Sequence, residues 1–151
     1  MRLLPALFSG LVLSSVLAVP ALALDYRSAG EHAVLYAAPS AASEKRFIVT
    51  QGTPVELVLK QDAWSKVRDS DGNMAWIEAA LLSPARTILV RVDKAEVHAE
   101  ASDKSAVVFS AAKSVLLDLV QSKPNAHPGW ARVRHRDGQG GFIKASQVWG
   151  L

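Results

Sequence analysis

The amino-acid sequence predicts an all-β fold made of two small, partly open β-barrels in tandem. Three observations carry that reading. Residues 64–77 alternate around Asp69-Ser70-Asp71-Gly72, with Trp64, Val67 and Arg68 before the turn and Met74, Trp76 and Ile77 after it, the pattern of a β-hairpin. The pattern returns sixty-six positions later, where Trp130, Val133 and Arg134 precede Asp137-Gly138 and Phe142-Ile143 follow. Other runs rich in strand formers are short and bounded by turn residues, and a recurrence at fixed spacing marks a repeat architecture.

The first residues are set apart from the fold. Arg2, the mostly apolar run 3–19 and the small residues ending at Ala23 read as a secretory signal peptide over residues 1–23, cleaved after Ala23. Residues 24–84 then form the first copy and residues 85–151 the second, a length suited to one ordinary domain or two small ones. No later stretch is long and apolar enough to span a bilayer. The absence of cysteine excludes disulfides, thiolate ligands and a cysteine nucleophile, and export without disulfides points to the periplasm or the cell exterior. The formal charge is +3, with Lys and Arg interspersed among Asp and Glu, so nucleic acid is excluded as a partner.

The elements follow in order. Residues 25–31 read as a lead-in and residues 32–36 as a first strand, ended by Pro39-Ser40. Residues 47–49 form a second strand, and Gly52-Thr53-Pro54 turns into a third over residues 55–59. The hairpin 64–77 supplies two more, giving five strands per copy, and residues 78–82 close the unit with one helical or 3₁₀ turn. In the second copy residues 87–92 read as a connecting strand. Residues 95–101 then match 32–39, 107–109 match 47–49, and 115–120 match 55–60. Residues 121–129 form a hairpin tip six residues longer than its counterpart, tolerable at an exposed turn. Residues 130–143 repeat the hairpin, with Gly138, Gly140 and Gly141 as turn and bulge residues, and residues 144–148 repeat the closing turn.

This ordering resembles the bacterial SH3-like, or SH3b, domains, especially an exported proteobacterial subgroup. Trp64-Ser65-Lys66-Val67-Arg68-Asp69, Gly72 and Trp76-Ile77 fit the family's hairpin motif, and Gly52-Thr53-Pro54-Val55-Glu56-Leu57 fits its glycine-led turn. In the second copy Trp130-Ala131-Arg132-Val133-Arg134, Gly138 and Phe142-Ile143 fit, with Phe142 in place of a tryptophan. Near the first strand, Leu35-Tyr36-Ala37 and Val97-His98-Ala99 depart from the family's Asn-Val-Arg type motif. The resemblance implies two tandem small SH3-like partly open β-barrels acting as a noncatalytic cell-envelope binding module. Its partner would be a peptidoglycan peptide or a cell-envelope protein.

Trp64, Trp76, Trp130 and Phe142 are expected to pack the two cores, and Trp149 either seals the interface between copies or covers a chain end. Tyr36, Arg68, His98 and Arg134 are the candidate ligand-binding residues, offering polar contacts from a cleft between the copies. His32, His98, His127 and His135 form no close ligand pair, so no metal and no cofactor is expected. Ser65, Ser70 and Ser83 lack a nucleophile elbow, so no catalytic residue is assigned. The alternatives to an envelope-binding module are a structural accessory subunit of a secreted assembly and a small cell-wall hydrolase.

Overall fold

The computed structural model describes residues 24–120 and 126–151, so the predicted signal peptide and residues 121–125 of the extended tip lie outside the described part. Short runs of strand formers satisfy their backbone groups by pairing with neighbours. In the first copy they do so as β1 (Tyr26–Ala29), β2 (Ala33–Tyr36), β3 (Lys45–Val49), β4 (Pro54–Gln61), β5 (Trp64–Arg68), β6 (Met74–Glu78) and β7 (Leu82–Ser83). The sheet order is β3-β2-β6-β5-β4-β1-β7, and a 3₁₀ turn, Ala79–Leu81, separates β6 from β7. The second copy repeats this as β8 (Thr87–Val90), β9 (Lys94–His98), β10 (Val107–Ala112), β11 (Leu116–Leu119), β12 (Trp130–Arg134), β13 (Gly140–Lys144) and β14 (Val148–Trp149). Its order is β10-β9-β13-β12-β11-β8-β14, with a 3₁₀ turn at Ala145–Gln147. Neither antiparallel sheet closes on itself. These are the two tandem partly open barrels that the sequence predicts.

Several elements differ from the sequence reading. The expected lead-in contains a true strand, β1, which pairs with β4 through Tyr26 and Glu56 and with β7 through Ala29 and Leu82. Tyr-Arg-Ser-Ala carries little strand propensity, and pairing on both flanks overrides it. Its counterpart β8 is likewise part of the second sheet, bonded to β11 and β14, and not a connector. Each copy therefore has seven strands among the described residues where five were expected. The internal match also shifts by two residues. Phe47 pairs with Leu35 and Phe109 with Val97, so Phe109, not Val107, is the counterpart of Phe47. Glu56 pairs with Arg68, and Asp118 with Arg134; counted between those pairs, the second copy is longer by four residues instead of six. Gly141 lies within β13, not in a bulge: a Cβ there would stand 2.3 Å from the His98 carbonyl oxygen, so β9 and β13 approach too closely for a side chain.

The core of each barrel is aliphatic. Ala33, Leu35, Val55, Val67, Ala75 and Ile77 cluster in the first copy. Val90, Val97, Leu117, Val133 and Ile143 are among the buried cluster of the second. Burying each larger member contributes about 1.5–3 kcal/mol.

The two copies are packed together directly. Trp149 meets Tyr26 edge to face, ring centroids 5.1 Å apart, and so seals the interface. The Arg86 guanidinium lies 5.5 Å from the Tyr26 ring centroid and donates to the Gly150 carbonyl at 2.6 Å. The Ser28 and Thr87 hydroxyls are 2.8 Å apart, the Thr87 amide donates to the Ser28 Oγ at 3.1 Å, and the Thr87 hydroxyl donates to the Gly52 carbonyl. Burial also holds the Arg86 guanidinium below its usual range.

Burial, with the Glu56 carboxylate beside it, raises the Tyr26 phenol above its ordinary value of 10.0, against smaller opposing pulls from Arg68 and Arg86. As pH rises the unfolded chain releases this proton first. The contribution is therefore complete below about pH 10 and is lost above it, as pH climbs through the folded-state value. Urea titrations at increasing alkaline pH are expected to show a steeper loss of stability in the native protein than in Tyr26→Phe. Equal slopes would contradict this placement of Tyr26.

Candidate functional site

Strand alternation sends successive side chains to opposite faces. In β5, Ser65 and Val67 point into the barrel, so Trp64, Lys66 and Arg68 share the outer face; in β6, Ala75 and Ile77 point inward and Trp76 outward. Tyr36 pairs with Trp76, which pairs in turn with Lys66. The Tyr36 and Trp64 rings meet edge to face with centroids 5.5 Å apart. The expectation that these aromatic residues pack the cores is therefore corrected for Trp64, Trp130 and Phe142. Trp76 is buried as expected, 9% exposed, although it lies outside the aliphatic cluster. Trp64, Trp130 and Phe142 are only half-buried.

The second copy repeats this face with altered chemistry. His98 replaces Tyr36 and meets Trp130 edge to face at 5.4 Å; its Nδ1 lies 3.1 Å from the Ser105 carbonyl oxygen. Phe142 replaces Trp76 and meets His127 edge to face, with centroids 4.7 Å apart. The Lys144 ammonium sits 5.8 Å from the Trp130 ring centroid and 2.6 Å from Asp103.

Grooves adjoin both aromatic faces. In the first copy Trp64 lines one of about 280 Å³ with Arg27, Lys60 and Asp62. In the second, His98 lines one of about 240 Å³ with Lys94, Glu96, Asp103 and Lys144. Each has an aromatic ring beside charges of both signs, the means to stack on an apolar or planar group and to orient a polar one. Among the described residues no His, Asp or Glu grouping is arranged to hold a metal.

The four predicted ligand-binding residues separate into two kinds. Tyr36 and His98 occupy equivalent places on the aromatic faces. Arg68 is tied to the buried Glu56 at 3.1 Å, and Arg134 faces Asp118 at 3.6 Å. A cleft does lie between the copies, as expected, yet none of the four lines it; His32, Gln51, His135 and Arg136 are among the residues that do. The expected gathering of the four residues in that cleft is corrected: each copy presents its own aromatic face.

A model of the bacterial SH3 domain matches residues 29–84 and again residues 91–150, well over half of the chain. The chain belongs to the bacterial SH3 domain family. A comparison with curated protein sequences finds no match. Among solved structures the chain is similar to NlpC2 from Trichomonas vaginalis, at 13% identity over 83% of this chain and 47% of that one, with a TM-score of 0.37. It is also similar to NlpC1 from Trichomonas vaginalis, at 14% identity over 93% and 51%, TM-score 0.37. A third is an NlpC/P60 family protein from Bacillus cereus ATCC 10987, at 14% identity over 84% and 56%, TM-score 0.38. The chain spans about half the length of each.

Sequence reasoning missed Trp64 and Trp130 as surface residues of the bacterial SH3 copies, although the signal was present. Trp64 is in step with Lys66 and Arg68, and Trp130 with Arg132 and Arg134, whereas the aliphatic residues fall at the alternate positions. Lys144 and Asp103 were missed because only the fold brings them together.

The two arginine pairs differ in cost when broken. The Glu56 side chain is 10% exposed and its partner Arg68 42%, whereas Asp118 and Arg134 are 46% and 59% exposed. The Arg68 Nε is also buried without a hydrogen-bond partner among the described residues. Glu56→Ala is expected to destabilise the protein by about 1–3 kcal/mol, and Asp118→Ala by less than about 1 kcal/mol. Urea unfolding of the two variants checks the difference.

Proposed function

We propose that the protein is a noncatalytic binding module of the cell envelope, an exported bacterial SH3 pair of the proteobacterial subgroup that works in the periplasm or outside the cell. Its two aromatic faces hold short peptides, those of peptidoglycan first and those of an envelope protein second. The observation that carries this reading is the placement of Tyr36 with Trp64, and of His98 with Trp130, outside the aliphatic cores. Tyr36, Trp64 and Trp130 are partly exposed and available to stack on a ligand, at about 1 kcal/mol per ring contact, whereas His98 is 6% exposed and braces Trp130 edge to face. Charges of both signs frame each pair, which suits a peptide bearing an amine and carboxylates, as wall stem peptides do. Each face alone is a weak site. Two faces on one chain raise the affinity for a polymer with repeated peptides by about 100-fold or more where geometry lets both engage.

A second reading, an accessory subunit of a secreted assembly, has one observation in its favour. Ile48 is 77% exposed on the edge strand β3, and Val107 and Val108 are exposed on the equivalent edge strand β10, so an unpaired strand edge with apolar side chains is open to a protein partner.

Co-sedimentation with purified sacculi, with soluble product monitored, tests the first reading. The native protein is expected to sediment with the wall and to release no fragments. Tyr36→Ala with Trp64→Ala, or His98→Ala with Trp130→Ala, is expected to leave weak binding, and all four changes together to abolish it with the fold intact. Undiminished binding by the four-fold variant would overturn the assignment. Wall-independent capture of one stoichiometric protein partner would favour the second reading.

A further inference from the structure

The cleft between the copies has a chemistry of its own. Thr50 and Gln51 of the first copy face Val115, Leu116, His135 and Arg136 of the second around a volume of about 490 Å³. An adjoining hollow of about 340 Å³ shares Gln51 and Arg136 with it. Volumes of this size suit a small ligand, since such pockets run from about 300 to 1,000 Å³.

Arg136 distinguishes the cleft. Its Nη2 lies 3.6 Å from where a Cβ on Gly52 would stand, so this side chain of the second copy reaches over a turn of the first. Arg136 enters no ion pair found among the described residues. Two carboxylates beside it are already engaged. Asp118, in the wall of the adjoining hollow, faces Arg134 at 3.6 Å. Asp137 accepts from the Gln139 amide at 2.9 Å and lies 3.1 Å from His135 Nδ1, contacts that hold its carboxyl below the usual range. Residues 1–23 and 121–125 contain neither Asp nor Glu, so no side-chain carboxylate from them pairs with Arg136.

The two copies differ at this turn. In each, the backbone amide of the residue after β5 or β12 donates to the carbonyl four positions on, Asp69 to Asn73 and His135 to Gln139. The first copy closes the turn with Asp69, which accepts from the amides of Asp71 and Asn73 at 2.9 and 2.8 Å. In the second copy the closing carboxylate has moved to Asp137, and the basic pair His135-Arg136 takes the place of Asp69-Ser70. Cationic chemistry thus occupies the turn only in the copy whose turn lines the cleft.

We propose that this cleft is a second binding site, specific for the terminal carboxylate of a short peptide. Arg136 pairs with the carboxylate, its planar fork matching two oxygens. Thr50 and Gln51 meet the peptide amides, and Val115 and Leu116 receive an apolar final side chain. Those two apolar residues favour a peptide end over an inorganic anion, which gains nothing from them. The site is separate from the aromatic faces and does not rest on the function assigned to them.

The test is a titration of ¹⁵N-labelled protein with the tripeptide Ala-Ala-Leu, once with a free C-terminus and once amidated. The free peptide is expected to shift the amides of Gln51, Gly52, Leu116 and Arg136 saturably, and the amidated form to bind about tenfold more weakly or worse. Arg136→Gln is expected to remove that preference, Arg136→Lys to keep part of it, and Tyr36→Ala with Trp64→Ala to leave it unchanged. Equal binding of the two peptides, indifference to Arg136→Gln, competition by sulfate as strong as by the peptide, or no shifts up to millimolar peptide would each overturn the proposal.

Discussion

Everything in this protein depends on how little space a small β-barrel encloses. The first copy surrounds Ala33, Leu35, Val55, Val67, Ala75 and Ile77, a set of small and medium aliphatic side chains. With the inner positions filled this way, strand alternation assigns the indoles and the phenol to the outside. The outer aromatic faces are thus a by-product of the same alternation that builds the cores. Their residues are also freer to diverge: Tyr36 and Trp76 in one copy become His98 and Phe142 in the other, while aliphatic residues remain at most inner positions.

The second constraint is size. A barrel of about sixty residues buries a limited share of its surface, and here the two copies compensate by covering part of each other. Tyr26, Trp149 and Arg86 meet across the interface, and the close passage of Gly150 past Pro54 and the Thr87 carbonyl belongs to the same contact. The packing that joins the copies also creates the cleft containing Arg136. Stabilisation and the proposed carboxylate site therefore share one arrangement of the two copies.

Much of this was legible in the sequence. The duplicated hairpins, the closing 3₁₀ turns and the family all follow from local pattern, because Trp64 to Ile77 carries its turn residues and its alternation together. What escaped was non-local. β1 has no strong propensity and exists because β4 and β7 flank it. The shift between the repeats escaped for a different reason: a one-residue slip inverts a strand's faces, but a two-residue slip preserves them, so Val107 and Phe109 fit the pattern equally well. The error over Trp64 and Trp130 was one of weighting. Their size suggested a core role, while their step with Lys66 and Arg132 pointed outward. Tyr36 and His98 were singled out as equivalent, and the structure places them equivalently; Arg68 and Arg134 are held by Glu56 and Asp118, and Arg136, which lines the cleft, carried no motif.

Aliphatic residues hold the barrels, and Trp64 and Trp130 lie outside the aliphatic clusters. Equilibrium urea unfolding of Ile77→Ala beside Trp64→Ala measures this division most directly. Ile77 is fully buried, so its truncation is predicted to cost about 2–5 kcal/mol, at least twice the cost of truncating Trp64. A larger loss from Trp64→Ala than from Ile77→Ala would contradict the account.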